Sequence, residues 1–213
     1  ITSTETGGNW NAPLTWSQNQ VPQASDNVVI NGVVSVTSSA TCASLTVSSG
    51  ATLQNGGSLG WVALSVSGKI SNDGTIRNNP SGNELWLELF GDLHNNGTWK
   101  PAQTYIVSQQ NQTISQTKGK VFTGVIRKCG YEASTDTFSL IAASDIMINA
   151  KSFDGNGYKD GTYFWGKFDM RGYNLTLRGG TSFSKTIVTN VDTFSCLDSS
   201  AVSSITVEKA VTL

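Results

Sequence analysis

The sequence predicts an all-β chain: a right-handed parallel β-helix, or β-solenoid, with short strands, an N-terminal cap and loop insertions. Three observations carry that expectation. Ser, Thr, Asn and Gly supply 90 of the 213 residues, a composition suited to short strands and turns and poor for helices. No segment shows the apolar period of a useful helix. Glu84 to Leu89, with Leu85, Leu87 and Leu89, alternates with period two and reads as a strand. Finally, one short pattern recurs along the chain at intervals near 20 residues.

The pattern is visible in ATLQNGGSL at 51–59, GKISNDGTI at 68–76 and GDLHNNGTW at 91–99, offset by 17 and 23 residues. Each segment reads apolar, any, Asn, any, Gly, any, apolar. The aligned residues are Leu53, Ile70 and Leu93; then Asn55, Asn72 and Asn95; then Gly57, Gly74 and Gly97; then Leu59, Ile76 and Trp99. An irregular repeat of this length, built from short strands and Asn-Gly corners, describes a stack of coils. Strands such as Val28–Ile30, Leu45–Val47 and Leu64–Val66 are too short to form a sheet alone. They gain hydrogen bonds from coils roughly 4.8 Å above and below. Gly accepts a sharply turned backbone freely, and Asn better than most residues. Asn55, Asn72 and Asn95 are expected to stack as a ladder, each amide bonding the next. Hairpin turns of a β-sandwich are the competing explanation.

Taken in order, residues 1–25 are expected to form the cap, with Trp10 and Trp16 closing the first coil. Residues 26–99 form regular coils and residues 100–213 less regular ones, within a single domain. Strands are predicted at Val121–Ile126, Phe138–Ala142, Ile146–Asn149, Asn174–Leu177 and Ser204–Val207. Segments 100–120 and 150–165 read as projecting loops. The alternating stretch that ends at Leu213 leaves an open strand edge that calls for a cap, a second subunit or more chain.

The stretch GGNWNAPLTWSQNQVPQASDNVVINGVVSVTSSATCASLTVSSGATL at 7–53 carries a further signal. It contains Thr15-Trp16, Pro22, Asp26-Asn27 before a valine-rich strand, and Ser44-Leu45-Thr46-Val47. On these residues the chain resembles the Gly/Asn-rich parallel β-helix repeat regions of secreted surface and adhesin proteins of Bacteroidetes-type bacteria. Its N-terminal part also resembles the G8 domain of some extracellular eukaryotic proteins. The resemblance covers roughly residues 7–99. It implies an exported protein that begins with a parallel β-helix; members often belong to much longer chains ending in a secretion-sorting domain, and the lack of one here suggests a fragment or a protein whose tail was removed.

Composition narrows the function classes. Lys and Arg number 14 and Asp and Glu 15, for a net charge of -1, so nucleic acid is not the expected partner. No apolar run reaches the roughly 20 residues of a membrane span. Charged residues make up 14%, against about 25% in an ordinary soluble domain. The chain opens on Ile1 without a signal-peptide pattern, as expected of a processed or trimmed protein.

The chemistry-bearing residues are few. The single histidine, His94, sits in a repeat and gives a Ser-His-Asp arrangement no support. Glu84 and Glu88 flank Trp86 on one strand face. Four residues place the carboxylates near ~13 Å apart, beyond the roughly 5–9.5 Å that glycosidases use. A tryptophan between exposed carboxylates does suit glycan binding: the ring stacks on a pyranose and the carboxylates accept its hydroxyls. A strand residue covered by a loop would leave the same pattern. The loop DGNGYKDG at 154–161 offers Asp154, Asn156 and Asp160 as oxygen ligands for calcium, although Tyr158 and Lys159 depart from the EF-hand pattern. No other cofactor is expected. Three cysteines allow at most one bridge. Cys129 and Cys196 are the expected pair, from the exterior character of the chain, and three buried thiols are the alternative. Asn96, Asn111 and Asn174 fit the glycosylation pattern, as chance allows in so Asn- and Thr-rich a chain.

Two functions follow as expectations. One is an extracellular structural or adhesive β-solenoid module of a larger surface protein or filament, self-assembling through its coil ends. The other is a carbohydrate-binding or polysaccharide-active β-helix domain.

Overall fold

The computed structural model describes residues 1–57, 60–79, 84–108, 110–130, 138–154, 166–179, 182–184, 186–198, 201–202 and 205–208. The chain is a parallel β-solenoid: its strands form two sheets, with parallel pairing along the stacks. The helical content among them is a single 3₁₀ turn at Pro13–Thr15. Contacts group the chain into two compact units, Ile1–Thr104 and Tyr105–Leu213.

The first unit holds β1 (Gly8–Asn9), β2 (Asn27–Ile30), β3 (Val33–Val36), β4 (Ala40–Cys42), β5 (Ser44–Val47), β6 (Thr52–Asn55), β7 (Trp61–Val66), β8 (Ile70–Asn72), β9 (Thr75–Arg77), β10 (Glu84–Leu89), β11 (Leu93–Asn95) and β12 (Thr98–Lys100). They sort into three stacks, β2-β5-β8-β11, β1-β3-β6-β9-β12 and β4-β7-β10. One coil therefore visits each stack once.

Period-two alternation selects what points inward. On the first stack the register aligns Val28, Leu45, Ile70 and Leu93, and two positions on it aligns Ile30, Val47, Asn72 and Asn95. The second stack aligns Val34, Leu53, Ile76 and Trp99. The third aligns Leu64 with Leu87 and Val66 with Leu89. All of these are buried, and each buried aliphatic chain contributes roughly 1.5–3 kcal/mol. The outward positions carry Thr46, Ser71 and His94 in one row, which is how so weakly charged a chain keeps a polar surface.

The cap is an incomplete coil. Gly8 and Asn9 pair with Val34 and Ser35, and Thr2 bridges Val29. Trp10 and Trp16 are buried and meet edge to face with centroids 5.1 Å apart. The Trp16 indole N–H donates to the Trp10 carbonyl at 2.7 Å, satisfying a polar group that burial would otherwise strand.

The predicted ladder is shorter than expected. Asn72 Nδ2 donates to Asn95 Oδ1 at 2.8 Å and to the Thr98 carbonyl at 2.9 Å. Asn55 is not part of it. It lies on β6, in the second stack, where its amide exchanges hydrogen bonds with the Asn79 backbone. The neighbour of Asn72 in the preceding coil is Val47. Leu53 accordingly stacks on Ile76, not on Ile70. Gly57, which follows β6, is likewise off the Gly74–Gly97 corner, where a Cβ on Gly97 would lie 2.0 Å from the Gly74 carbonyl oxygen. The motif aligned correctly between its second and third copies and not with its first, because Asn-Gly corners recur at different corners of a coil. Leu59 lies outside the described residues.

The second unit holds β14 (Gln112–Gln116), β15 (Phe122–Gly130), β16 (Ser139–Ala142), β17 (Ile146–Asp154), β18 (Gly166–Asp169), β19 (Leu175–Leu177), β20 (Ser182–Ser184), β21 (Thr186–Thr189), β22 (Phe194–Cys196), β23 (Ala201–Val202) and β24 (Ile205–Glu208), while β13 (Gln103–Ser108) spans the boundary. One stack runs β14-β16-β18-β21-β24, and a second runs β17-β19-β22. β17 is long enough also to pair β20, which pairs β23. The expectation that 100–120 is a loop is corrected: it contains β13 and β14, and Tyr105, Ile106, Val107 and Ile114 are buried.

Candidate functional site

The outward face of β7 and β10 gathers the residues that sequence reading singled out. Both strands run six residues in unbroken register from Glu84 opposite Trp61 to Leu89 opposite Val66. Alternation sends Leu85, Leu87 and Leu89 inward, where they are buried, and leaves Glu84, Trp86 and Glu88 outward. The same alternation on β7 turns Trp61, Ala63 and Ser65 to that face. Trp86 lies directly opposite Ala63, and so small a neighbour leaves the indole room to lie across the sheet.

The two tryptophans stack. Their ring centroids are 4.4 Å apart and their planes differ by 7°; such a diagonal contact is within reach of long side chains on adjacent strands. Trp61 is 52% exposed, which makes this an aromatic surface and not a core pair. Glu84 Oε2 accepts the Trp86 indole N–H at 2.9 Å and so fixes the ring's rotation. Glu88 accepts the Ser65 hydroxyl across the strands. Both carboxylates therefore orient the platform. Four residues apart on one strand, they are too distant to work as the acid and base of a glycosidase.

Trp61 was missed at the sequence level. The signal was present: the offset of 23 residues that relates Ile70 to Leu93 also relates Trp61 to Glu84.

The remaining candidates are placed as follows. His94 is on β11, in an outward row with Ser71. Asp154 ends β17, opposite Ser184, while Asn156 and Asp160 lie outside the described residues, as does Trp165. No group of three His, Cys, Asp or Glu that would hold a metal occurs among the described residues. Cys196 is an exposed free thiol and Cys42 a buried one. The expected Cys129–Cys196 bridge is corrected by register. Cys196 aligns with Leu177, Leu177 with Ile148 and Ile148 with Phe122. Cys129 lies seven residues beyond Phe122 on β15, so successive coils and most of a strand separate the two cysteines. A disulfide needs Cα atoms within about 7 Å. Burial, with Asp26 adding to it, pushes the Cys42 thiol up to about 12. Among the glycosylation sites, the Asn96 amide donates to Asp73 at 3.0 Å.

Comparison with protein-family models, with curated proteins and with solved structures returns no match to this chain. No helix among the described residues is long and apolar enough to cross a membrane.

Proposed function

We propose that this chain is a non-catalytic adhesive module of an exported surface protein, and that its ligand is a glycan held on the β7–β10 face. The observation that supports this reading is the Trp61–Trp86 stack standing half out of a rigid sheet and flanked by Glu84 and Glu88. A pyranose presents an apolar C–H face to an aromatic ring, and its hydroxyls donate to carboxylates beside the ring. The parallel ladders beneath hold the rings in place before the ligand arrives, which lowers the entropy cost of binding. The extracellular location rests on the resemblance of residues 7–99 to secreted surface repeats.

The test is a glycan array probed with the wild-type chain and with Trp61→Ala and Trp86→Ala. Either substitution is expected to lower binding by at least roughly tenfold. Far-UV circular dichroism should be unchanged, because both rings lie outside the core. Undiminished binding by a folded Trp86→Ala chain would remove the reading.

A further inference from the structure

We propose that the ligand of the β7–β10 face is a saccharide bearing a free ammonium group, a glycan of hexosamine type, and that Glu84 is the residue that selects for the charge. This rests on the glycan reading of that face and names the class of sugar it takes.

The charge of the face follows from its strands. β4, β7 and β10 contain two carboxylates, Glu84 and Glu88, and no lysine or arginine. The segments that lead into β7 and β10, 56–60 and 78–83, hold no charged residue. Ser65 lies between Thr41 and Glu88 in one row, so Glu88 is flanked across the strands by neutral hydroxyls. Elsewhere an acid has a base beside it: Asp169 lies 3.7 Å from Arg171, and Asp198 lies 3.4 Å from Arg178. Two acids with no base on their strands give this face a negative potential. An acidic saccharide meets like charge there and loses affinity, whereas a cationic one gains it.

Geometry selects the kind of cation. Glu84 and Glu88 are four residues apart on one strand, ~13 Å. A divalent metal ion wants about six or more oxygens at roughly 2.3–2.6 Å, which that spacing denies. An ammonium needs less: one carboxylate and the π face of an indole. Both are adjacent here. Glu84 is directly opposite Trp61 in the register, and residues so paired are roughly 5 Å apart. Its Oε2 accepts the Trp86 indole N–H at 2.9 Å, which fixes the carboxylate at the edge of the stack. A carboxylate has about four acceptor sites, so this bond leaves capacity for an ammonium N–H.

The aromatic pair points to a sugar as the carrier of that ammonium. Trp61 is 52% exposed and Trp86 less so, and their planes are nearly parallel, so the stack presents a flat platform. A lysine stem has no need of such width, whereas a pyranose covers it with its C–H face. A hexosamine stacked on Trp61 then brings its ammonium to Glu84.

The experiment is isothermal titration calorimetry of the full chain with three oligosaccharides of equal length: β-linked glucosamine, its N-acetylated form and oligogalacturonate. The first two share a ring and differ in charge. The glucosamine oligomer is expected to bind about tenfold more tightly than the N-acetylated one, and oligogalacturonate most weakly. Added sodium chloride should narrow the preference. Glu84→Gln keeps an acceptor for the Trp86 indole and removes the charge, so it should bring the first two affinities within about threefold of each other. Equal binding of those two by the wild type, a preference for oligogalacturonate, or a preference that survives Glu84→Gln overturns the ammonium specificity. Tighter binding of a pentalysine peptide overturns it in favour of a basic protein partner. Where the wild type shows no ammonium preference but Trp86→Ala removes binding, the glycan reading stands and only the specificity fails. Binding undiminished in a folded Trp86→Ala chain overturns both.

Discussion

At the scale of single residues, the core is apolar where columns continue and polar where a column changes character. Asn72 and Asn95 occupy a column that Ile30 and Val47 begin. The ladder's upper valence stays open, since Val47 offers Asn72 Oδ1 no donor and that oxygen is buried without a partner. Asn72→Ala leaves the Asn95 oxygen without the Asn72 donor and the Thr98 carbonyl without its side-chain bond. We expect a loss of about 1–3 kcal/mol, read by denaturant unfolding, against under about 0.5 kcal/mol for the exposed Asp73→Ala. Equal costs would show that the ladder contributes nothing. Cys42 gives a pH prediction. Its thiol is raised from 9.0 to about 12 by burial and by Asp26. Between those values the unfolded chain gives up the proton while the folded chain keeps it. The Cys42 contribution to stability is therefore whole below pH 9 and is lost as pH rises through 12, up to about 4 kcal/mol. Melting temperature should fall over that window in the wild type and fall less in Cys42→Ala; parallel curves would refute the assignment.

At the scale of elements, period two decided correctly wherever a strand has one buried face. β10 has the bounds that the alternation of Leu85, Leu87 and Leu89 predicts. The failures were at 100–120, where Gln and Thr dilute the apolar pattern. β14 reads QTISQ, yet Gln112 and Gln116 point inward with Ile114. A buried glutamine is invisible to a hydrophobic pattern because its burial depends on partners elsewhere, such as the Lys120 carbonyl. Ile114→Ala should cost about 2–5 kcal/mol as a core truncation. Thr113→Ala, one residue away on the outer face, should cost under about 1 kcal/mol. Similar costs at the two positions would contradict the facing assigned to β14.

At the scale of the whole molecule, a solenoid is held by neighbours in the stack, so a defect should spread to adjacent coils before distant ones. Ile76 lies between Leu53 and Trp99. Hydrogen exchange in Ile76→Ala is expected to quicken most in β6, β9 and β12, with β2 and β3 less affected. Uniform acceleration across the first unit would mean that it unfolds as one block. The sequence by itself determined the all-β class, the parallel coils, the cap tryptophans and the alternation of each short strand. These are local: they follow from what a two-residue period buries and from where Asn and Gly let the backbone turn. Only the tertiary structure decided which coil rests on which. Val28, Leu45, Ile70 and Leu93 share a column although their spacings are unequal, because loop length between strands is free to vary while stack position is fixed by packing. For that reason Asn55 left the ladder, Cys129 and Cys196 proved too far apart to bridge, and Trp61 came to lie on Trp86.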